Sequence, residues 1–126
     1  MQYGPAGLRV SVEDPEELSH LPAAVEVACY RIAQEALANV VRHARASHCS
    51  IRIRLDQEAC ALSVEVEDDG RGIRDNDRAG VGMSSMRERT EELGGRCTIK
   101  SLAGGGTLVR ALLPFRTTED APRREE

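Results

Sequence analysis

A carboxamide and an imidazole stand where this chain's apolar pattern asks for leucine. From Pro22 to Ala44 there is neither glycine nor a further proline, which is the composition of one long helix. With about 100° per residue and Ile32 as zero, Val25, Ala28 and Ala36 fall within about 40° and define a buried stripe. Asn39 and His43 fall within about 20° of the same line, and Glu35 and Arg42 lie on its edge. A buried polar group without a partner costs about 1–3 kcal/mol. The second half of this helix therefore either carries internally satisfied polar groups or faces a cleft, and the helix alone leaves those two readings even.

The strands repeat the departure. Asp68 has the parity of Leu62, Val64 and Val66, so its carboxylate points inward at a strand end, and Thr107 shares parity with Val109, Ala111 and Leu113. Three glycine clusters surround these residues: Gly70-Arg71-Gly72 after Asp68-Asp69, Gly80-Val81-Gly82 before Met83, and Gly104-Gly105-Gly106 before Thr107. Glycine lets backbone approach a ligand closely, and a helix start offers unpaired N–H groups to phosphate. One Gly-x-Gly says little, since turns produce many; three beside inward-facing polar side chains suit a nucleotide. The chain has no GxxxxGK[ST] run and no GxGxxG after its first strand, which excludes the P-loop and Rossmann layouts.

The elements that must hold these groups follow from hydropathy period. Residues 8–13, 51–55, 62–66, 97–101 and 107–113 alternate as strands, with a hairpin turn around Asp56–Ala59. Pro22 suits the first turn of the long helix, and Met83–Leu93 reads as a helix stopped by Gly94-Gly95. Asp68–Gly82 is too polar and glycine-rich for a regular element and reads as a mobile loop. The last two strands are too close in sequence for a parallel crossover. The expected class is α+β: a two-layer α/β sandwich, a mixed sheet of about five strands packed on two to three helices.

At 126 residues the chain is one domain's worth, and a net charge of -4 is the wrong sign for tracking nucleic-acid backbones. Three aromatic residues and no tryptophan argue against base stacking and leave Val, Leu, Ile and Ala to fill the core. No apolar run reaches the roughly 20 residues of a membrane span, and no secretory signal pattern opens the chain. Cys29, Cys49, Cys60 and Cys97 are scattered without CxxC or His spacing, and read as small hydrophobes.

In order, RIAQEALANVVRHA, VEVEDDGRGI, GVGMSSMRERTEELGG and GGGTLVRALLP resemble the N, G1, G2 and G3 boxes of the ATP-binding catalytic domain of sensor histidine kinases. That superfamily shares the Bergerat fold with gyrase, the MutL repair protein and the ninety-kilodalton heat-shock chaperones. The resemblance spans about residues 8 to 115, and is most similar to the subfamily of nitrate and membrane-fluidity sensors. It implies ATP and Mg²⁺ as cofactors. It implies Asn39 as a Mg²⁺ ligand, Glu35 in ordering the metal or the reacting group, and Arg42 and His43 at the phosphates. Asp68 matches the aspartate that accepts the adenine amino group, with Thr107 beside it through water. Gly70, Gly72, Gly80 and Gly82 match the glycines of the nucleotide lid, and Ile73, Val81 and Met83 fall with them among the nucleotide-binding positions.

Two departures stand out. The lid is short and lacks phenylalanine, and none of His20, His43 or His48 sits in a His-plus-acid helical motif, so the dimerisation and phosphoacceptor domain is expected to lie elsewhere in a longer protein. The expectation is then a domain of residues 1–115 with a charged, disordered tail over 116–126, cytoplasmic, monomeric in isolation, touching neither nucleic acid nor membrane. Its parent's membrane topology is left open. It would pass the γ-phosphate to a histidine on the phosphoacceptor domain and thence to a response regulator. The competing readings are a serine kinase of the anti-sigma-factor type, a gyrase-like clamp for which 126 residues leave no transducer domain, and a purely ligand-binding domain.

Overall fold

The computed structural model describes residues 2–3, 7–14, 21–56, 58, 60–71 and 81–115. Element order is β1 (Gln2–Tyr3), β2 (Arg9–Glu13), α1 (Ala23–Asn39) continued by a π-helical turn (Val40–Ala44), β3 (His48–Asp56), β4 (Ala61–Asp68), α2 (Val81–Glu92), β5 (Arg96–Ser101) and β6 (Thr107–Pro114). The strands make one sheet in the order β1-β2-β3-β4-β6-β5. The five expected strands are present, and the two-residue β1 adds a sixth at the edge. Only β2 and β3 pair in parallel, joined through the α1 crossover; the other pairs are antiparallel. The sheet is mixed for that one reason.

The alternating strands bury one face. Ile51 and Ile53 pair with Val66 and Val64, which pair in turn with Val109 and Ala111, and all six are buried. Against this face α1 sets Val25, Ala28, Cys29, Ile32 and Ala36. Small residues there let an alanine-rich helix lie close to the sheet, and each fully buried Val, Leu or Ile contributes about 1.5–3 kcal/mol. From α2, Met86 enters the core with Thr90, whose hydroxyl donates to the Met86 carbonyl oxygen at 2.7 Å and so meets its own polar requirement. Of the aromatics whose side chains are described, Phe115 is buried and Tyr30 exposed.

Helix boundaries differ slightly from the sequence expectation. Pro22 precedes α1 in extended conformation, its carbonyl accepting from Val25 and Glu26. Helix α2 starts two residues earlier than expected, at Val81, and closes as anticipated: Gly94, at φ +80°, and Gly95 return their N–H groups to Glu91 and Thr90. A Cβ on Gly95 would stand 1.9 Å from the Leu112 carbonyl oxygen, so that turn packs directly on β6.

Candidate nucleotide-binding site

The register brings the polar departures to one end of the sandwich. Across the sheet, Val10 faces Cys49, Cys49 faces Asp68, and Asp68 faces Thr107. The carboxyl-terminal end of α1 reaches the same end, because the chain leaves its π turn through Arg45 in left-handed conformation (φ +53°) and enters β3 at His48.

Asp68 is 5% exposed. One carboxylate oxygen accepts from the Gly70 N–H at 2.8 Å, and the Thr107 backbone also donates to the group. Burial raises its pKa above the ordinary carboxylate value, against the lowering effect of these two donors and with a smaller push from the neighbouring Asp69. A buried carboxylate satisfied by neutral N–H groups retains acceptor capacity for a donor such as an exocyclic amine. Close approach of the β5–β6 turn completes the wall. Gly106, at φ +101°, lies so near Asp68 that a Cβ would stand 2.0 Å from the Asp68 carbonyl oxygen.

On α1, Glu35 and Asn39 stand one turn apart, and Arg42 reaches back to both. Its Nη2 donates to the Asn39 carboxamide oxygen at 2.8 Å and lies 3.7 Å from a Glu35 carboxylate oxygen. Exposed ion pairs of this kind contribute only about 0–1 kcal/mol, so the cluster gains its interest from chemistry more than from stability. The helical reading placed Asn39 in the centre of the buried stripe; the structure leaves it half-buried and buries Val40 instead. Asn39 is the last residue of the regular α-helix, one turn beyond Ala36, the last buried position of α1. From Val40 the π turn winds more slowly than 100° per residue, so residues 40–44 rotate away from the α-helical projection, and such turns recur at functional sites. His43 lies in this turn, and its side chain is outside what the structure describes.

Among the described residues no three His, Cys, Asp or Glu side chains converge as a metal cage. Asn39 with Glu35 offers instead one carboxamide and one carboxylate, a donor set that suits a cation bound chiefly through phosphate oxygens and water. Gly72, Ile73 and Gly80 lie outside the described residues, as does the stretch between Gly72 and Gly80 where the sequence predicts a lid; Val81, Gly82 and Met83 form the first turn of α2.

Residues 24–117 match the model of the histidine kinase-, DNA gyrase B- and HSP90-like ATPases. The chain belongs to this ATPase family. Sensor histidine kinase YxjM of Bacillus subtilis is 37% identical over 123 residues, covering 96% of this chain and 29% of its own. The kinase/phosphatase DegS of Brevibacillus brevis is 31% identical over 100 residues, covering 78% of this chain and 25% of its own. The histidine kinase domain of a blue-light activated kinase from Erythrobacter litoralis superposes with a TM-score of 0.73 at 27% identity, covering 88% of this chain and 53% of that one. The chain thus spans between a quarter and a third of the length of these two curated relatives. The shared architecture is the ATP-binding α+β sandwich of the histidine kinase ATPase domains.

Two further residues of the candidate site carry little sequence signal. Gly106 reads as one glycine of a loop, and only the Asp68–Thr107 register shows what it must avoid. Asp69 has outward parity at the end of β4; its one sequence signal is the doubling of aspartate before Gly70.

Proposed function

We propose that this chain is the ATP-binding catalytic domain of a two-component sensor histidine kinase, which binds Mg-ATP and donates the γ-phosphate to a histidine on a dimerisation and phosphoacceptor domain. A response regulator accepts the phosphate afterwards. The observation that carries this reading is Asp68, a buried carboxylate satisfied by backbone N–H groups, at the same end of the sandwich as the Glu35–Asn39–Arg42 cluster. Asp68 accepts from the adenine amino group, with Thr107 beside it. Arg42 and His43 neutralise phosphate charge. Asn39 and Glu35 hold Mg²⁺, which when bound neutralises charge developing on the phosphates. Gly70, Gly72, Gly80 and Gly82 shape the backbone around the nucleotide, with Ile73, Val81 and Met83 beside it. The relatives' names support a histidine as acceptor over the serine of an anti-sigma-type kinase.

The domain is read as residues 1–115, monomeric alone and in the cytoplasm, where its ATP is. No helix among the described residues is long and apolar enough to cross a membrane. Calorimetric titration with ATP and GTP, with and without Mg²⁺, tests the binding half. ATP binds more tightly, because guanine presents an oxygen where adenine presents a donor. Incubation with γ-labelled ATP and a supplied phosphoacceptor domain tests the transfer half. Acid-labile label appears on that domain's histidine and none on this chain, whose His48 opens a strand. Stoichiometric labelling of this chain alone, or equal affinity for ATP and GTP, overturns the reading.

A further inference from the structure

Asp69 follows the buried Asp68, and its side chain is exposed, yet it is among the most heavily bonded carboxylates of the described residues. Its Oδ1 accepts from the N–H groups of Ser47 at 2.9 Å and His48 at 3.0 Å, and its Oδ2 accepts from the Ser47 hydroxyl at 2.9 Å. Its own N–H donates to the His48 carbonyl oxygen at 3.3 Å. The carboxyl is held below the ordinary aspartate pKa, above all by the His48 N–H, so it is ionised at neutral pH. The anchored strand start is tied further on the sheet face opposite the core, since the His48 ring lies 3.5 Å from the Ser11 hydroxyl and 3.4 Å from that of Ser50.

These bonds join two segments with different tasks. Ser47 and His48 end the connector that leaves the π turn, downstream of Glu35, Asn39 and Arg42. Asp69 lies between Asp68 and Gly70, which are themselves bonded to each other. Phosphoryl transfer requires the γ-phosphate to be held within a fraction of an ångström of its productive position, while its two points of reference stand on α1 and β4. We propose that Asp69 is a positioning residue, clamping the adenine end of the site at a fixed distance from the metal and phosphate end. This rests on the nucleotide reading given above. Removing the clamp leaves the bond between Asp68 and Gly70 in place, so recognition of adenine survives while the phosphates lose their alignment.

The test separates those two ends. Adenosine, which has no phosphate, and Mg-ATP are titrated into the wild-type chain and its D69A, D69N and S47A variants. Phosphotransfer is measured in the complete kinase carrying the same changes. For D69A we expect adenosine affinity within about twofold of wild type and Mg-ATP affinity lower by about tenfold. Transfer to the phosphoacceptor histidine falls by about a hundredfold. D69N restores most of both losses, since its carboxamide oxygen still accepts from two N–H groups. S47A, which deletes one bond of the clamp, lowers Mg-ATP affinity by about threefold at unchanged adenosine affinity. Wild-type Mg-ATP affinity in D69A overturns the proposal, and so does an equal loss of adenosine and Mg-ATP, which would mark a general loosening. If D69A does not fold, S47A decides in the same way. A wild-type chain that binds neither ligand sinks the nucleotide reading itself.

Discussion

The Cβ that Gly106 lacks would stand 2.0 Å from the carbonyl oxygen of Asp68 and 3.2 Å from the Asp69 Cα. The β5–β6 turn thus lies against the backbone that presents the candidate adenine acceptor, and Gly106 takes φ +101° to do so. Gly106→Ala carries both the overlap and a strained backbone of about 1–3 kcal/mol. We expect a lower melting temperature and weaker ATP binding together, read by calorimetry and nucleotide titration. Gly104→Ala, with open space around its Cβ position, changes neither by a comparable amount.

Arg42 occupies the Asn39 oxygen that a Mg²⁺ ion would use, so metal binding at Asn39 must exchange that hydrogen bond. Asn39→Ala removes the ligand from a half-buried helical position without opening the core. Its melting free energy should stay within about 1 kcal/mol of wild type, while phosphotransfer falls by about a hundredfold, or about 2.7 kcal/mol of barrier. Unchanged transfer, or loss of the fold, shows that Asn39 serves the core instead.

Asp68 should respond to pH in opposite senses for binding and for stability. Burial raises its pKa in the folded chain, so the ionised form is the costly one there. As pH falls through that raised value, protonation relieves the cost to the fold and at the same time removes an acceptor from the site. ATP affinity should therefore decline on acidification above the pH at which an exposed aspartate titrates. Asp68→Asn should flatten that decline, weaken ATP binding at neutral pH by about 1–3 kcal/mol, and melt no lower than wild type. Titrations across mildly acidic pH, paired with melting curves, check all three signs.

The buried thiols should be inert. Burial pushes Cys49 up to about 12 and Cys29 up to about 11, so neither supplies appreciable thiolate at pH 8. Iodoacetamide should label the less buried Cys60 first, with Cys29 and Cys49 slower by about a hundredfold or more until the chain is unfolded. Mass spectrometry of timed digests reads the order. Fast labelling of Cys49 in the folded chain contradicts its 0% exposure.

Much of this architecture was legible in sequence because its signals are local. A strand's side chains alternate whatever surrounds it, so Leu62, Val64 and Val66 announce the inward face, and Asp68 is seen to share it. Gly94-Gly95 stops α2 through bonds within its last turn. Polar residues on apolar faces, Asn39 and Asp68 above all, pointed to a site before any contact was known, and the order of four glycine and asparagine boxes pointed to the family.

What tertiary structure alone decided depends on residues far apart in the chain. The π turn at Val40–Ala44 lies between the end of α1 and the start of β3, and no local propensity in Val40-Val41 announces the change of winding that rotates residues 40–44 away from the α-helical projection. Inward-facing Thr90 reads from sequence as a polar residue on a polar helix; packing against the sheet makes it core. The demand on Gly106 exists only because Thr107 pairs with Asp68, and the Asp69 clamp only because antiparallel pairing of β3 with β4, with Cys49 opposite Asp68, brings Ser47 and His48 to the end of β4. Pairing partners are chosen by burial of the whole sheet, a sum over many residues, so single-residue patterns indicate which side chains face inward but not which of them meet.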